Sequence, residues 1–358
     1  MDFIFNYLNT LSTPFQILFL VVGFVVLIKG ADYLIDGASA IAQNFKVPKL
    51  LIGLTIVAFG TSAPELSVSI ADIFSGSAEP GSITLSNVVG SNILNILLLI
   101  GIGALIRPIV IKRDTVRKEI PILALITCVF LFVTLDQWLT PGVEQSLITR
   151  ADGLVLIAVF GIFLYYTISL ALKGSKKASA ETEKPKWKLL PAFGITLASL
   201  VAIVFGSEFV VNSASTIAST IGISERVISL TIVAFGTSLP ELITTIAASR
   251  RNEQDLLVGN IIGSNIFNMC VVLGIPAALY NGGTAGGIVV TSAPFDLVIM
   301  MVTVFLLLLF CATSKKLTRL EGAVFLMVFA AYYSVVIIDA FRNIPAATSS
   351  PSSGHSCR

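Results

Sequence analysis

Apolar residues fall in long blocks separated by short polar stretches, at about 15–42, 50–74, 83–105, 120–136, 153–172, 189–218, 228–250, 256–280, 294–313 and 322–339. Most approach the roughly 20 residues needed to cross ~30 Å of hydrocarbon. Alternating barrel-type patterning is missing from them. A segment surrounded by lipid must satisfy its own backbone hydrogen bonds, so the pattern predicts helices. The expected fold is an all-α integral membrane bundle of ten transmembrane helices.

Composition agrees. Hydrophobic residues make up 55% of the 358 positions and charged residues 12%, against about a quarter charged in a soluble domain. A net charge of +2 gives no case for nucleic acid, and the lipid bilayer is the one partner the composition requires; no obligatory protein partner is evident. The four cysteines, Cys128, Cys270, Cys311 and Cys357, have no paired spacing, so neither a disulfide nor a zinc site is expected. His355 is the sole histidine and lies in a Ser/Pro/Gly-rich tail. An enzyme is disfavoured because the spans hold no nucleophile–base pair and no metal-binding histidine. The N-terminal MDFIFNYLNT has no basic stretch before its apolar run, so the first helix is expected to be retained.

Basic residues give an orientation. Eighteen of the 23 Lys and Arg fall in the stretches near 43–49, 106–119, 173–188, 251–255 and 314–321 or at their edges, all on one side of a ten-span chain. Only Arg150, Arg226, Arg342 and Arg358 fall on the other, with Lys29 inside the first span near a helix end. Both termini are expected outside the cytoplasm. The polar linker Lys173 to Lys188 splits the chain into a first half, 1–172, and a second, 189–339, followed by a tail, 340–358.

The halves repeat one another. Leu54 to Leu66 reads LTIVAFGTSAPEL and Leu230 to Leu242 reads LTIVAFGTSLPEL; NVVGSNILNILLLIG from Asn87 is followed in the second half by NIIGSNIFNMCVVLG from Asn260. Five spans per unit force the second copy into the membrane from the opposite side, an inverted-topology repeat of the kind that supports alternating access. Two inverted five-helix units, with helices 2 and 7 broken at the GTSxPE motifs, are therefore expected.

In each broken helix, Pro64 and Pro240 displace the carbonyls of Gly60 and Gly236. Carbonyls near Ala58 and Thr61, and near Ala234 and Thr237, become candidate ligands. Glu65 and Glu241 supply charge at a depth where an ionisable side chain costs at least ~2.5 kcal/mol without compensation. A bound cation compensates both. Pairing with buried basic residues is the bland alternative, but Lys29 alone cannot serve two acids. Ser91 and Asn95, and Ser264 and Asn268, lie four apart on one helix face; they are read as site residues, although helix–helix packing would also use them. An all-oxygen donor set favours hard cations, and flexible coordination by carboxylates and carbonyls favours Ca²⁺ over Mg²⁺.

The duplicated GTSxPE and GSNxxN motifs resemble the two α-repeats of the cation/Ca²⁺ exchanger superfamily, in particular the prokaryotic Na⁺/Ca²⁺ exchangers, over nearly the whole stretch from 15 to 339. The resemblance implies a secondary antiporter with Ca²⁺ and Na⁺ as transported ions and no cofactor. It implies that Glu65, Glu241 and the Thr61 and Thr237 carbonyls hold Ca²⁺, and that the same groups serve Na⁺ in turn. Ala58, Thr61, Ser62 and Ser91 would form one flanking Na⁺ site, Ala234, Thr237, Ser238 and Ser264 its mirror, with Asn95 and Asn268 central. Some relatives, K⁺-dependent ones included, carry aspartate at the position of Asn268, so no K⁺ requirement is expected. A bacterial inner membrane is the implied location. Spans one and six would be sliding gate helices; Asp32, Asp36 and Glu208 at their ends are either gating groups or ordinary interfacial acids, while Asp72 and Glu79 are expected to face water. A Ca²⁺/H⁺ antiporter using the same carboxylates is the nearest rival, and a passive cation channel the rival from another class.

Overall fold

The computed structural model describes residues 12–74, 81–139, 145–174, 185–223, 228, 232, 234–280, 286–290, 294–314 and 316–342. The first half consists of α1 (Thr13–Phe45), α2 (Lys49–Thr61), α3 (Ala63–Phe74), α4 (Ser82–Ile106), strand β1 (Ile109–Val110), α5 (Arg113–Arg117), α6 (Glu119–Thr134), α7 (Asp136–Leu139), strand β2 (Leu147–Thr149) and α8 (Arg150–Gly174). The second half has α9 (Leu189–Thr220), α10 (Ala234–Gly236), α11 (Leu239–Arg250), α12 (Gln254–Leu279), strand β3 (Gly287–Val289), α13 (Pro294–Ser314), strand β4 (Lys316–Leu317) and α14 (Arg319–Arg342). Seven described helices are long and apolar enough to cross a membrane, and α2 with α3 makes an eighth such segment bent by 44°. The 16-residue α6 covers the expected fourth block; the expected span 228–250 falls partly outside the described residues.

Chain chemistry explains the breaks between elements. Lys46 closes α1 in the left-handed conformation, φ 54°, and Pro48, which cannot continue a helix with a paired N–H, fixes the restart at Lys49. Gly81, φ 89°, takes the same region just ahead of α4, where a side chain would be strained.

Apolar side chains occupy the exterior as well as the core. The central stretch of α12 is wholly buried and that of α4 72% buried, whereas that of α14 is only 11% buried. Large apolar side chains such as Val21, Ile162, Leu197 and Leu309 lie on the exterior. The motif helices thus form the core, and the outer helices turn apolar faces outward, as a lipid solvent requires.

α1 and α9 cross antiparallel along small residues seven apart. A Cβ at Gly23, Gly30 or Gly37 would lie 3.0, 3.4 and 3.3 Å from the carbonyl oxygens of Gly206, Ser199 and Ala192 respectively. Small side chains here let the two backbones approach closely, the usual means of helix packing in lipid. Asn44 Nδ2 donates to the Trp187 carbonyl at 2.8 Å, so the end of α1 and the start of α9 share one face of the bundle.

That face also gathers the basic loops. Lys49 bridges Glu253 at 2.6 Å, Lys112 bridges Asp255, Lys186 bridges Asp36 at 2.7 Å, and Arg251 bridges both Asp32 and Asp36. Strand β1 pairs antiparallel with β4 there. At the opposite end β2 pairs antiparallel with β3, and Arg150 Nε donates to the Ala278 carbonyl at 2.9 Å. The two ribbons are the exception to an all-helical expectation, and exchanging the halves of the chain exchanges one ribbon for the other.

Two further expectations need correction. Asp72 does not face water: it is 4% exposed, because its Oδ2 accepts hydrogen bonds from the backbone N–H and hydroxyl of Thr84 at 2.8 and 2.9 Å and so satisfies donors at the start of α4. Lys29 sits midway along α1, not near an end, and is exposed on the outer surface. The Gly236 carbonyl is engaged by the Ser207 hydroxyl of α9 at 2.8 Å. Glu79, His355 and Cys357 lie outside the described residues.

Candidate functional site

Each repeat places a glutamate in the first turn of a helix that follows a break. Ser62, φ −88° and ψ 10°, separates α2 from α3, and Ser238, φ −89° and ψ 3°, precedes α11. Pro64 and Pro240 then occupy the first turn of the new helix, where a missing N–H costs nothing because no partner exists for it. Glu65 and Glu241 follow directly. A carboxylate in a first turn also meets the positive end of the helix dipole. The glutamates are each 1% exposed and lie within electrostatic reach of one another.

Helices α4 and α12 bring the second motif to the same place. In both, the helix widens into a π-helical turn that begins on the motif's last asparagine: Asn95–Leu99 in α4 and Asn268–Val272 in α12. Such turns shift the register of the backbone and recur at functional sites. A further π-helical turn, Gly53–Val57, lies inside α2 ahead of its break.

The side-chain contacts join one repeat to the other. Ser62 Oγ donates to Glu241 Oε1 at 2.8 Å. Ser91 Oγ lies 3.4 Å from Ser238 Oγ, and Asn95 Nδ2 donates to Asn265 Oδ1 at 3.1 Å. Thr61 Oγ1 donates to Asn260 Oδ1 at 3.3 Å and Thr237 Oγ1 to Asn87 Oδ1 at 3.4 Å. Ala58, Thr61, Ser62, Glu65, Ser91, Asn95, Ser238, Glu241, Ser264 and Asn268 are all buried. Thr237 is half-buried, and the side chain of Ala234 lies outside the described residues. The Ala58 carbonyl already accepts the Ser62 N–H at 3.0 Å and the Thr61 hydroxyl at 3.4 Å.

Asn87, Asn260 and Asn265 were not among the residues expected at the site. Each belongs to one of the repeated segments, Asn87 and Asn260 as its first residue. That shared position was the available signal.

The cluster concentrates oxygen without a donor. Both carboxylate oxygens of Glu65, Glu241 Oε2, Asn95 Oδ1, Asn268 Oδ1 and Ser264 Oγ are buried with no hydrogen-bond partner in the protein. Unsatisfied buried acceptors are rare in native proteins and call for an explanation. Among the described residues no Lys or Arg is buried, so the glutamates have no basic partner. Nor do the described residues hold any group of three or more His, Cys, Asp or Glu side chains suited to a metal. The donor set is two carboxylates with amide and hydroxyl oxygens, chemistry that suits hard monovalent and divalent cations.

Comparison with known proteins places this chain among relatives. The family described as sodium/calcium exchanger protein matches residues 15–169 and 191–338. The chain is similar to the sodium/calcium exchanger MaX1 of Methanosarcina acetivorans, 32% identical over 348 residues, covering 89% of this chain and 97% of that one. It is similar to the inner membrane protein YrbG of Escherichia coli, 36% identical over 270 residues, covering 74% and 79%. Among solved structures, the sodium-calcium exchanger NCX_Mj soaked with zero Na⁺ and Ca²⁺ superposes with a TM-score of 0.74 at 28% identity, covering 90% of this chain and 98% of that chain.

Proposed function

Because the chain belongs to the sodium/calcium exchanger family, a family of multi-pass membrane transporters, we propose that it exchanges Ca²⁺ for Na⁺ by alternating access, with Glu65 and Glu241 as the charged ligands and no need for K⁺. The observation that carries this reading is the set of partnerless buried oxygens on Glu65, Glu241, Asn95, Asn268 and Ser264, in a core without buried Lys or Arg among the described residues. A stripped cation supplies the compensation that the protein itself does not.

The Thr61 and Thr237 carbonyls complete the Ca²⁺ site in this reading. Ala58, Ser62 and Ser91 flank it on one side and Ala234, Ser238 and Ser264 on the other as Na⁺ ligands, with Asn95 and Asn268 between. The two acids can be neutralised by one Ca²⁺ or by two Na⁺, which makes the ions mutually exclusive. Amide in place of a third acid at Asn268 leaves nothing charged to recruit K⁺.

Ten spans in two inverted units support the mechanism. The end of α1 and the start of α9 share a face, so an even number of crossings must separate them. The α2–α3 pair, α4 and α8 are three, and α6 supplies the fourth although it is short. On the positive-inside rule, the face carrying Lys49, Lys112, Lys186 and Arg251 is cytoplasmic, with the termini on the other side of a bacterial inner membrane.

Radiocalcium uptake into proteoliposomes tests the coupling. An outward Na⁺ gradient should drive uptake with a protonophore present and with K⁺ absent. Collapse on adding the protonophore would identify a Ca²⁺/H⁺ antiporter instead, a requirement for K⁺ would overturn the assignment at Asn268, and flux without any counter-ion would identify a channel.

A further inference from the structure

The mirrored asparagines Asn87 and Asn260 lie outside the ligand set, yet each touches the break of the opposite repeat. Resting on the Ca²⁺ site above, we propose that Asn87 and Asn260 are positioning residues that hold Thr237 and Thr61 so that the carbonyls of these threonines aim at the ion.

Several threonines elsewhere in the bundle satisfy their hydroxyls within their own helix. Thr55, Thr127, Thr196 and Thr244 each donate to the carbonyl four residues back at 2.7 to 2.8 Å. Thr61 has only a long contact of this kind, 3.4 Å to the Ala58 carbonyl, and its hydroxyl also reaches across 199 positions to Asn260 Oδ1 at 3.3 Å. In the other repeat Thr237 reaches Asn87 Oδ1 at 3.4 Å. Both threonines directly precede the serine at which the helix breaks, so fixing the side chain fixes the peptide that carries the ligand carbonyl.

The asparagines are set for this task by spacing. Asn87, Ser91 and Asn95 recur at every fourth position, as do Asn260, Ser264 and Asn268, so the clasp and the two ligands share a helix face. In both Asn87 and Asn260 the other end of the amide, Nδ2, is buried without a partner. Turning either amide end for end replaces the O–H···O bond with N–H···O on the same pair of side chains, so the pairing survives either assignment. At 3.3 and 3.4 Å both bonds are longer than a strong O–H···O bond. Clasps this loose keep the break in register without locking it, as a site that binds and releases needs.

A double-mutant cycle on the Thr61–Asn260 pair tests the proposal, read as KM for Ca²⁺ against turnover in proteoliposomes. Thr61→Val and Asn260→Ala should each raise KM by about five- to tenfold, the equivalent of one net hydrogen bond, with turnover changed far less. The double variant should be no worse than either single one, and Thr61→Ser should keep the wild-type KM. Additive effects, an unchanged KM in the single variants, or a Thr61→Ser that behaves like Thr61→Val would overturn it. Thr237→Val with Asn87→Ala supplies an independent cycle should the first pair fail to fold. Glu65→Gln in the same preparation separates the two levels: if it too leaves Ca²⁺ binding intact, the site is wrong, and if it alone abolishes binding, only the clasp fails.

Discussion

Ser62 Oγ and Glu241 Oε1 are 2.8 Å apart and 179 residues distant in sequence. The break of the first repeat therefore touches the acid of the second. Its mirror contact is not made: Ser238 lies 3.4 Å from the Ser91 hydroxyl, and both oxygens of Glu65 lack a hydrogen-bond partner. The two halves of the site are equivalent in sequence and different in arrangement, as the proposed alternating access requires.

That asymmetry predicts unequal effects of equal substitutions. Ser62→Ala removes a hydrogen bond to a buried carboxylate, worth about 1.5–3 kcal/mol, and should weaken Ca²⁺ binding by roughly tenfold or more in the conformation described. Ser238→Ala should weaken it less. Equilibrium binding of radiocalcium to the two purified variants compares them directly, and equal losses would contradict the difference.

A second mirrored pair is Gly263 of α12, which packs on α2, and Gly90 of α4. A Cβ at Gly263 would fall 2.6 Å from the Leu54 carbonyl, whereas one at Gly90, its counterpart, meets nothing within 4 Å among the described residues. Gly263→Ala should cost about 1–3 kcal/mol of stability through overpacking, and Gly90→Ala within about 0.5 kcal/mol. Under alternating access, however, α4 must take up in its turn the close packing that α12 makes with α2 here. Gly90→Ala should therefore slow exchange while leaving thermal unfolding in detergent unchanged; a normal exchange rate would show that the repeats do not trade arrangements at this contact.

Asp72 ties α3 to the start of α4 through two hydrogen bonds to Thr84. Asp72→Ala leaves those donors unpaired and should destabilise the protein by about 1–3 kcal/mol. Thermal unfolding monitored by near-ultraviolet circular dichroism would register the loss, and an unchanged midpoint would contradict the buried pairing.

Arg251 bridges Asp32 and Asp36 at the basic face with side chains about a third exposed or less. Partly exposed pairs contribute about 0–1 kcal/mol and are screened by salt. Arg251→Ala should change exchange by less than about fivefold, and the difference should shrink as ionic strength rises. A loss comparable to that of Glu65→Gln would make this cluster part of the transport machinery.

Much of the arrangement was legible in the sequence because lipid leaves few alternatives. The described helices α1, α2 with α3, α4, α6, α8, α9, α12, α13 and α14 coincide with nine apolar blocks, since each block must be a helix of about the membrane's thickness. The Pro64 and Pro240 motifs marked the breaks through the chemistry of proline. What a single sequence could not express were contacts between positions far apart in the chain. Asp72 reads as a charge near a helix end until α4 is laid against it. The Gly236 carbonyl reads as displaced by Pro240, but not as the acceptor that the Ser207 hydroxyl of α9 reaches at 2.8 Å. Asn87 and Asn260 read as ordinary members of a repeat until the opposite break is brought beside them. The pairing of β1 with β4 and of β2 with β3 involves strands of two or three residues, too short to leave a pattern.

The most direct test of the Glu65 and Glu241 assignment is equilibrium radiocalcium binding to purified protein, competed with Na⁺, for the wild type and for Glu65→Gln combined with Glu241→Gln. Wild-type protein should bind Ca²⁺ that Na⁺ displaces, and the double variant, folded by circular dichroism, should lose at least about a hundredfold in affinity, or ~2.7 kcal/mol. Retention of Na⁺-displaceable Ca²⁺ binding by the double variant would contradict the account.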